Sequence, residues 1–212
     1  MRRCLHLAGW GAAVALLLAA CGSGGSGTGA GAPTPTPAAA LLLAPAQVPG
    51  YTRTPVDTVS ADQLASEAGD PSAADRITGQ GLLQGARATY QPQPGATDAF
   101  EQVTSEALLF RDATGAAGFF ADEVQRRTRS PEGGGTVTSI PGLPATGVDQ
   151  VAGLDLRAAP QEAGGAPLQA LLFVIRRGAA VAELLGSGPS TTATLAAITP
   201  LLNLQEAALA AA

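Results

Sequence analysis

Leu168-Gln169-Ala170-Leu171-Leu172-Phe173-Val174-Ile175 is apolar at every position but one. Alternate positions divide it into two sets. One face carries Leu168, Ala170, Leu172 and Val174; the other carries Gln169, Leu171, Phe173 and Ile175. A strand with water on one side alternates apolar and polar residues, whereas a strand apolar on both sides is covered on both. Arg176-Arg177-Gly178 turns the chain, and Ala179 to Leu185 runs back as the partner of a hairpin.

A second hairpin is expected from Leu82 to Gln91 and Phe100 to Phe110. Val103, Ser105, Ala107 and Leu109 alternate there with Gln102, Thr104 and Glu106. Asp112 caps the clearest helix, about 113–128, with Ala116, Phe119, Phe120 and Val124 as its buried stripe. Val137 to Ile140 and Val148 to Leu156 read as further strands. Ser60 caps a short helix over Ala61 to Ala68. Asp70-Pro71 caps a second over Ser72 to Ile77, and Leu64, Ala65, Ala68 and Ile77 point inward. Leu41 to Pro45 is an apolar lead-in, as a short helix or an edge strand. Ser190 or Thr191 caps a C-terminal helix with Leu195, Ile198 and Leu202 inward, and Pro200 should kink or divide it. This order of elements predicts an α+β fold, an antiparallel β-sheet flanked by helices.

The N-terminal part reads differently. Met1-Arg2-Arg3 is positive, Leu7 to Leu18 is apolar, and Ala19-Ala20 precedes Cys21. The apolar run is shorter than the roughly 20 residues a membrane span needs. A positive start, a short apolar core and small residues before a cut site make a secretory signal over residues 1–20. Leu18-Ala19-Ala20-Cys21 resembles the bacterial lipobox. That resemblance implies cleavage before Cys21 and a diacylglyceryl group on its sulfur; two chains on one residue anchor stably. The alternatives are a secreted protein with a chance cysteine and an uncleaved helix, which the length disfavours. Arg2-Arg3 leaves twin-arginine export as a minor route. Residues 21–40 form the attachment cysteine and a Gly/Ser/Pro-rich linker, and 41–212 a single extracytoplasmic domain. A flexible linker of that length spans roughly 25 Å.

Composition narrows the chemistry. Past residue 20 the chain has no lysine, histidine, methionine or tryptophan, and Cys21 is its one cysteine. A serine triad, a phosphate-binding loop with its lysine, and zinc sites built on histidine and cysteine are therefore excluded. Gly22 to Gly27 matches a dinucleotide fingerprint formally, but it follows no strand and opens no helix. Ten arginines against seventeen acids give a net charge near −7, which argues against nucleic acid. Carboxylates remain: Asp122-Glu123 as neighbours that diverge around a helix, and Asp149 and Asp155 flanking a strand. Exposed acids are their ordinary reading, and a carboxylate-based hydrolase is the less favoured alternative. Arg126, Arg127 and Arg129 offset the dipole at the end of their helix; binding an anion is the second reading.

Three segments carry a further resemblance: Leu108 to Asp112 leading into Gly115 to Phe120, the Pro141-Gly142-Leu143 loop, and Phe173 to Gly178 before Ala179-Ala180-Val181. Together, over roughly residues 80–210, they are similar to extracytoplasmic lipoproteins of the LpqN type and to sensor-like domains of actinobacterial envelopes. Their fold resembles the PsbP-like arrangement of an antiparallel sheet between helices. The resemblance implies a non-enzymatic binding or scaffolding role and transfers no site residue. The expectation is a protein at the extracytoplasmic face of the cell membrane, anchored by lipid on Cys21. It would need no cofactor or metal and would meet an envelope protein, a lipid or a cell-wall ligand. Apolar cargo would need a cavity lined by residues such as Phe119, Phe120 and Phe173; otherwise these rings fill the core.

Overall fold

The computed structural model describes residues 37–95, 99–129, 135–158 and 167–211. The signal, Cys21, the glycine fingerprint and most of the linker lie outside the described residues.

Eight antiparallel strands form one sheet. They are β1 (Tyr51–Arg53), β2 (Asp57–Thr58), β3 (Leu82–Pro92), β4 (Gln102–Phe110), β5 (Gly135–Ile140), β6 (Gln150–Ala158), β7 (Leu168–Arg177) and β8 (Ala180–Pro189). The order is β1-β3-β4-β8-β7-β6-β5, with β2 also on β3. Both expected hairpins are present, β3 with β4 and β7 with β8. They join where β4 pairs with β8, so Glu106 lies opposite Glu183. The helices are α1 (Pro37–Ala40), α2 (Ala61–Glu67), α3 (Ala73–Gly79), α4 (Ala113–Thr128) and α5 (Leu195–Ala210).

The two-faced reading of β7 describes the core. Leu171, Phe173 and Ile175 pack in a cluster with Ile198, Leu202 and Leu209 of α5 and with Leu41 to Leu43. Ala170, Leu172 and Val174 pack on the opposite side with Phe119 and Phe120 of α4 and with Ala65 and Ile77 of α2 and α3. Face A below means the α1/α5 side, and face B the α2/α3/α4 side. Connectivity places α4: it leaves β4 in mid-sheet and must reach β5 at the far edge, so it crosses face B over the strands between.

Local chemistry sets the ends of the elements. Asp112 accepts the Gly115 N–H (2.9 Å), and Ser60 with Gln63 makes a reciprocal capping box. Other ends differ from expectation. Asp70 accepts the Ser72 N–H (3.1 Å) and hydroxyl (2.5 Å), which holds a turn, and α3 begins only at Ala73. Thr192 and Ala193 N–H donate to the Pro189 carbonyl, so a turn intervenes and Thr194, not Ser190 or Thr191, caps α5. Pro200 does not divide α5. The ring removes the N–H that the Ala196 carbonyl would accept, while Ile198 and Leu202 on either side are buried and hold the helix against the sheet.

The domain also begins earlier than residue 41. Pro37–Ala40 is helical and Ala38 is buried. The lead-in that follows is irregular and its backbone is sewn into face A. Leu43 N–H donates to Ser105 Oγ (3.2 Å), Ser105 Oγ–H to Gln205 Oε1 (2.8 Å), and Gln205 Nε2–H to the Leu41 carbonyl (2.7 Å). Tyr90 O–H donates to the Leu43 carbonyl. A buried backbone needs such partners, and they come from three different elements.

Where α3 meets α4, a Cβ on Gly115 would lie 1.8 Å from the Gln80 carbonyl oxygen, whereas one on Gly79 would meet nothing within 4 Å. The same substitution should therefore act with opposite signs. Gly115→Ala should cost about 3 kcal/mol in urea unfolding, because backbone must move. Gly79→Ala should gain about 0.5 kcal/mol through its helix propensity. Equal effects would contradict this packing.

Candidate functional site

The helix-covered part of face B is mostly apolar, with a row of charge across it. The antiparallel register puts Arg87 of β3 opposite Glu106 of β4, and Glu106 opposite Glu183 of β8. Glu123 of α4 comes down onto the same place. The Glu106, Glu123 and Glu183 side chains are 5%, 8% and 9% exposed. Three carboxylates thus converge under α4, and burying them requires partners.

The partners are guanidiniums. Arg87 donates through Nε to Glu106 (2.5 Å) and through both terminal nitrogens to Glu67 of α2 (2.6 and 2.7 Å). Arg126 forks onto Glu123, with Nε at 2.8 Å. Arg127 Nε meets Glu123 at 2.6 Å, and its Nη2 reaches Glu183 at 3.4 Å. That last contact is long for a charged hydrogen bond, so Glu183 is the least compensated of the three.

Titration follows from these contacts. Burial works against the Glu123 charge, but Arg127 and Arg126 outweigh it and hold this carboxyl below its ordinary range. For Glu106, burial outweighs Arg87 and pushes the carboxyl up. Glu183 is pushed up to about 8, first by burial and then by the Glu123 charge, with Arg127 pulling the other way. Glu183 therefore favours its protonated form at pH 7.

The row itself lines a small cleft between α2, α3, α4 and the sheet, with a volume of about 40 Å³. It has room for a few waters and not for a drug-sized ligand. Across its mouth Asp122 accepts from Gln80 Nε2 (2.9 Å) and pairs with Arg76 (3.2 Å), which joins α4 to α3. Gln80 Oε1 is buried without a partner.

The carboxylates singled out in the sequence lie elsewhere, except for the pair on α4. Asp122 and Glu123 do diverge, one to α3 and one to the sheet. Asp149 accepts the Gly178 N–H (2.8 Å) and pairs with Arg176 (3.0 Å), which ties down the β7–β8 turn. Asp155 lies within β6 and holds Arg157 and Gln169. Arg126 and Arg127 do more than solvate a helix end: Glu123 and Glu183 engage them. Arg129 is exposed. Two of the phenylalanines suggested for an apolar cavity are on face B and Phe173 is on face A, so the three fill two separate layers of core. Phe119 packs on Phe110 with ring centroids 5.2 Å apart.

Glu106 and Glu183 were missed as a site. Each sits on a strand face shared with apolar residues, Leu108 and Phe110 in one case and Val181 in the other. A lone acid on an otherwise covered face was the available signal.

Fold and site together define an α+β domain, an antiparallel sheet covered by helices on both faces with a charge row sealed beneath one of them. No family model matches the chain, and no curated protein matches it. Among solved structures it is similar to the extracellular domain of PknH from Mycobacterium tuberculosis. The TM-score is 0.53 and the identity 12%, over 82% of this chain and 93% of that one. At that identity the likeness is one of fold.

Arg87 should be worth most while Glu106 remains. Arg87→Met leaves a buried acid unpaired and should cost about 3 kcal/mol in denaturant unfolding at pH 7. Adding Glu106→Met should recover most of that loss. A double variant as unstable as the single one would show that Arg87 acts through something other than Glu106.

Proposed function

We propose that the chain is a lipoprotein of the cell envelope. In this reading residues 1–20 are removed, Cys21 carries the lipid, and the domain is held at the extracytoplasmic face of the membrane as a non-enzymatic binding or interaction module. The observation that carries it is the sequence Leu18-Ala19-Ala20-Cys21 at the end of a short apolar run. The sequence resemblance to LpqN-type lipoproteins points the same way. So does the fold likeness to a domain that is itself extracellular. Among the described residues no helix is long and apolar enough to cross a membrane, and in this reading the lipid does the anchoring.

The partner class is an envelope protein, a lipid or a cell-wall polymer; a purely scaffolding module is the alternative. Three acids do converge in a cleft, which a carboxylate hydrolase would require, but guanidiniums engage all three. Glycoside-cleaving pairs need an acid and a base or nucleophile free to reach substrate. The binding reading is preferred on that ground.

Expressed at full length in a bacterial host, the protein should fractionate with membranes. Its mature mass should begin at Cys21 with a diacylglyceryl adduct. Cys21→Ser should move it to the soluble extracytoplasmic fraction or leave it unprocessed. Membrane retention of both forms at the same unlipidated mass would contradict the proposal.

A further inference from the structure

The two halves of α4 are held to the sheet by different forces. Ala116, Phe119 and Phe120 are buried in the apolar cluster with Phe110, Leu172 and Val174. Beyond Phe120 the buried residue is Glu123, with Val124 partly buried beside it. This second half meets the sheet through Val124 and through the charge row below it.

We propose that the row is a proton-operated latch: one proton, carried by Glu183 between β8 and α4, decides whether the C-terminal half of α4 lies closed on the sheet or lifts toward solvent. The proposal concerns regulation within the domain and holds whether or not Cys21 carries a lipid.

Geometry makes Glu183 the group that decides. Glu106 faces it from β4, with Arg87 of β3 and Glu67 of α2 beyond; Glu123, Arg126 and Arg127 face it from α4. From β7 the opposite residue is Val174, which is uncharged. On the α3 side Arg76, Asp122 and Gln80 are engaged with one another. With Glu183 protonated, Arg87, Arg126 and Arg127 balance Glu67, Glu106 and Glu123. When it ionises, the row gains a negative charge beside Glu106 and Glu123. Arg127 is already committed at 2.6 Å to Glu123 and stands at 3.4 Å from Glu183. The remaining source of stabilisation is water, and a cleft of about 40 Å³ admits little. Lifting the end of α4 supplies it, and uncovers the unpartnered Gln80 Oε1 together with the row.

The sign follows from linkage. Closed, Glu183 binds its proton up to a pH of about 8. Open and hydrated, it returns toward the ordinary glutamate range, near pH 4.5. The closed form thus binds more protons between those values. Its advantage is full at low pH, falls as pH rises to about 8, and is constant above. The opening equilibrium should grow up to about tenfold per pH unit in that window.

Hydrogen exchange of the full-length protein in detergent, followed by mass spectrometry, tests this. After correction for intrinsic exchange, opening of residues 121–128 should rise at least tenfold from pH 5.5 to 7.5. In Glu183→Gln, which cannot ionise, the change should stay below about twofold, and amides of β7 should show no such rise in either protein. A flat profile in the unmodified protein would overturn the latch. So would an equal rise in Glu183→Gln, or an equal rise in β7, which would mean whole-domain unfolding. Should Glu183→Gln fail to fold, the slope of the unmodified protein and its contrast with β7 decide alone.

Discussion

A sheet covered on both faces can hold a charge only where another charge meets it, and face B is arranged by that requirement. The route of α4 creates the problem. It must cross from β4 to the far edge, over β8, whose Glu183 lies opposite Glu106. Like charges directly opposite on neighbouring strands repel, and the helix above adds Glu123. Arginines from β3 and from the last turns of α4 turn an unfavourable row into a network with one weak member. An apolar row would fill the same space at no electrostatic cost. The network instead couples a helix to a proton.

Much of the fold was legible because it rests on strong local patterns. The two apolar sets of Leu168 to Ile175 announced a strand covered twice, and the helices on both faces answer it. Asp112 and Ser60 cap the helices they were expected to cap, since an oxygen at that position has an N–H to accept. Elements misread at their ends failed for reasons of context. The Pro189 carbonyl captures two N–H groups before α5 can start, and burial of Ile198 and Leu202 outweighs the helix-breaking preference of Pro200.

The charge row was harder to see because pairing across strands is not written in local order. Glu106 alternates with apolar residues, as an exposed acid in a half-wet strand would. Only the knowledge that α4 lies over it, and that Glu183 is its neighbour, makes it buried. Arg126 and Arg127 likewise resemble residues that suit a helix end, and their carboxylates are 3 to 56 residues away in sequence. The linker boundary moved for a related reason. Pro37–Ala40 has a linker-like composition, but the hydrogen bonds of Leu41 and Leu43 to Gln205, Ser105 and Tyr90 draw the chain before them into face A. Among the described residues the packed chain therefore begins at Pro37 rather than at Leu41.

All of this depends on a carboxyl that keeps its proton at neutral pH beneath α4. The direct measurement is a carbon-13 NMR titration of the glutamate side-chain carboxyls in the unmodified protein, with Glu183 assigned through its backbone. Glu183 should be the one glutamate with its midpoint near 8, and Glu123 should titrate below the ordinary range. A Glu183 carboxyl that titrates with the exposed glutamates, near pH 4 to 5, would contradict this.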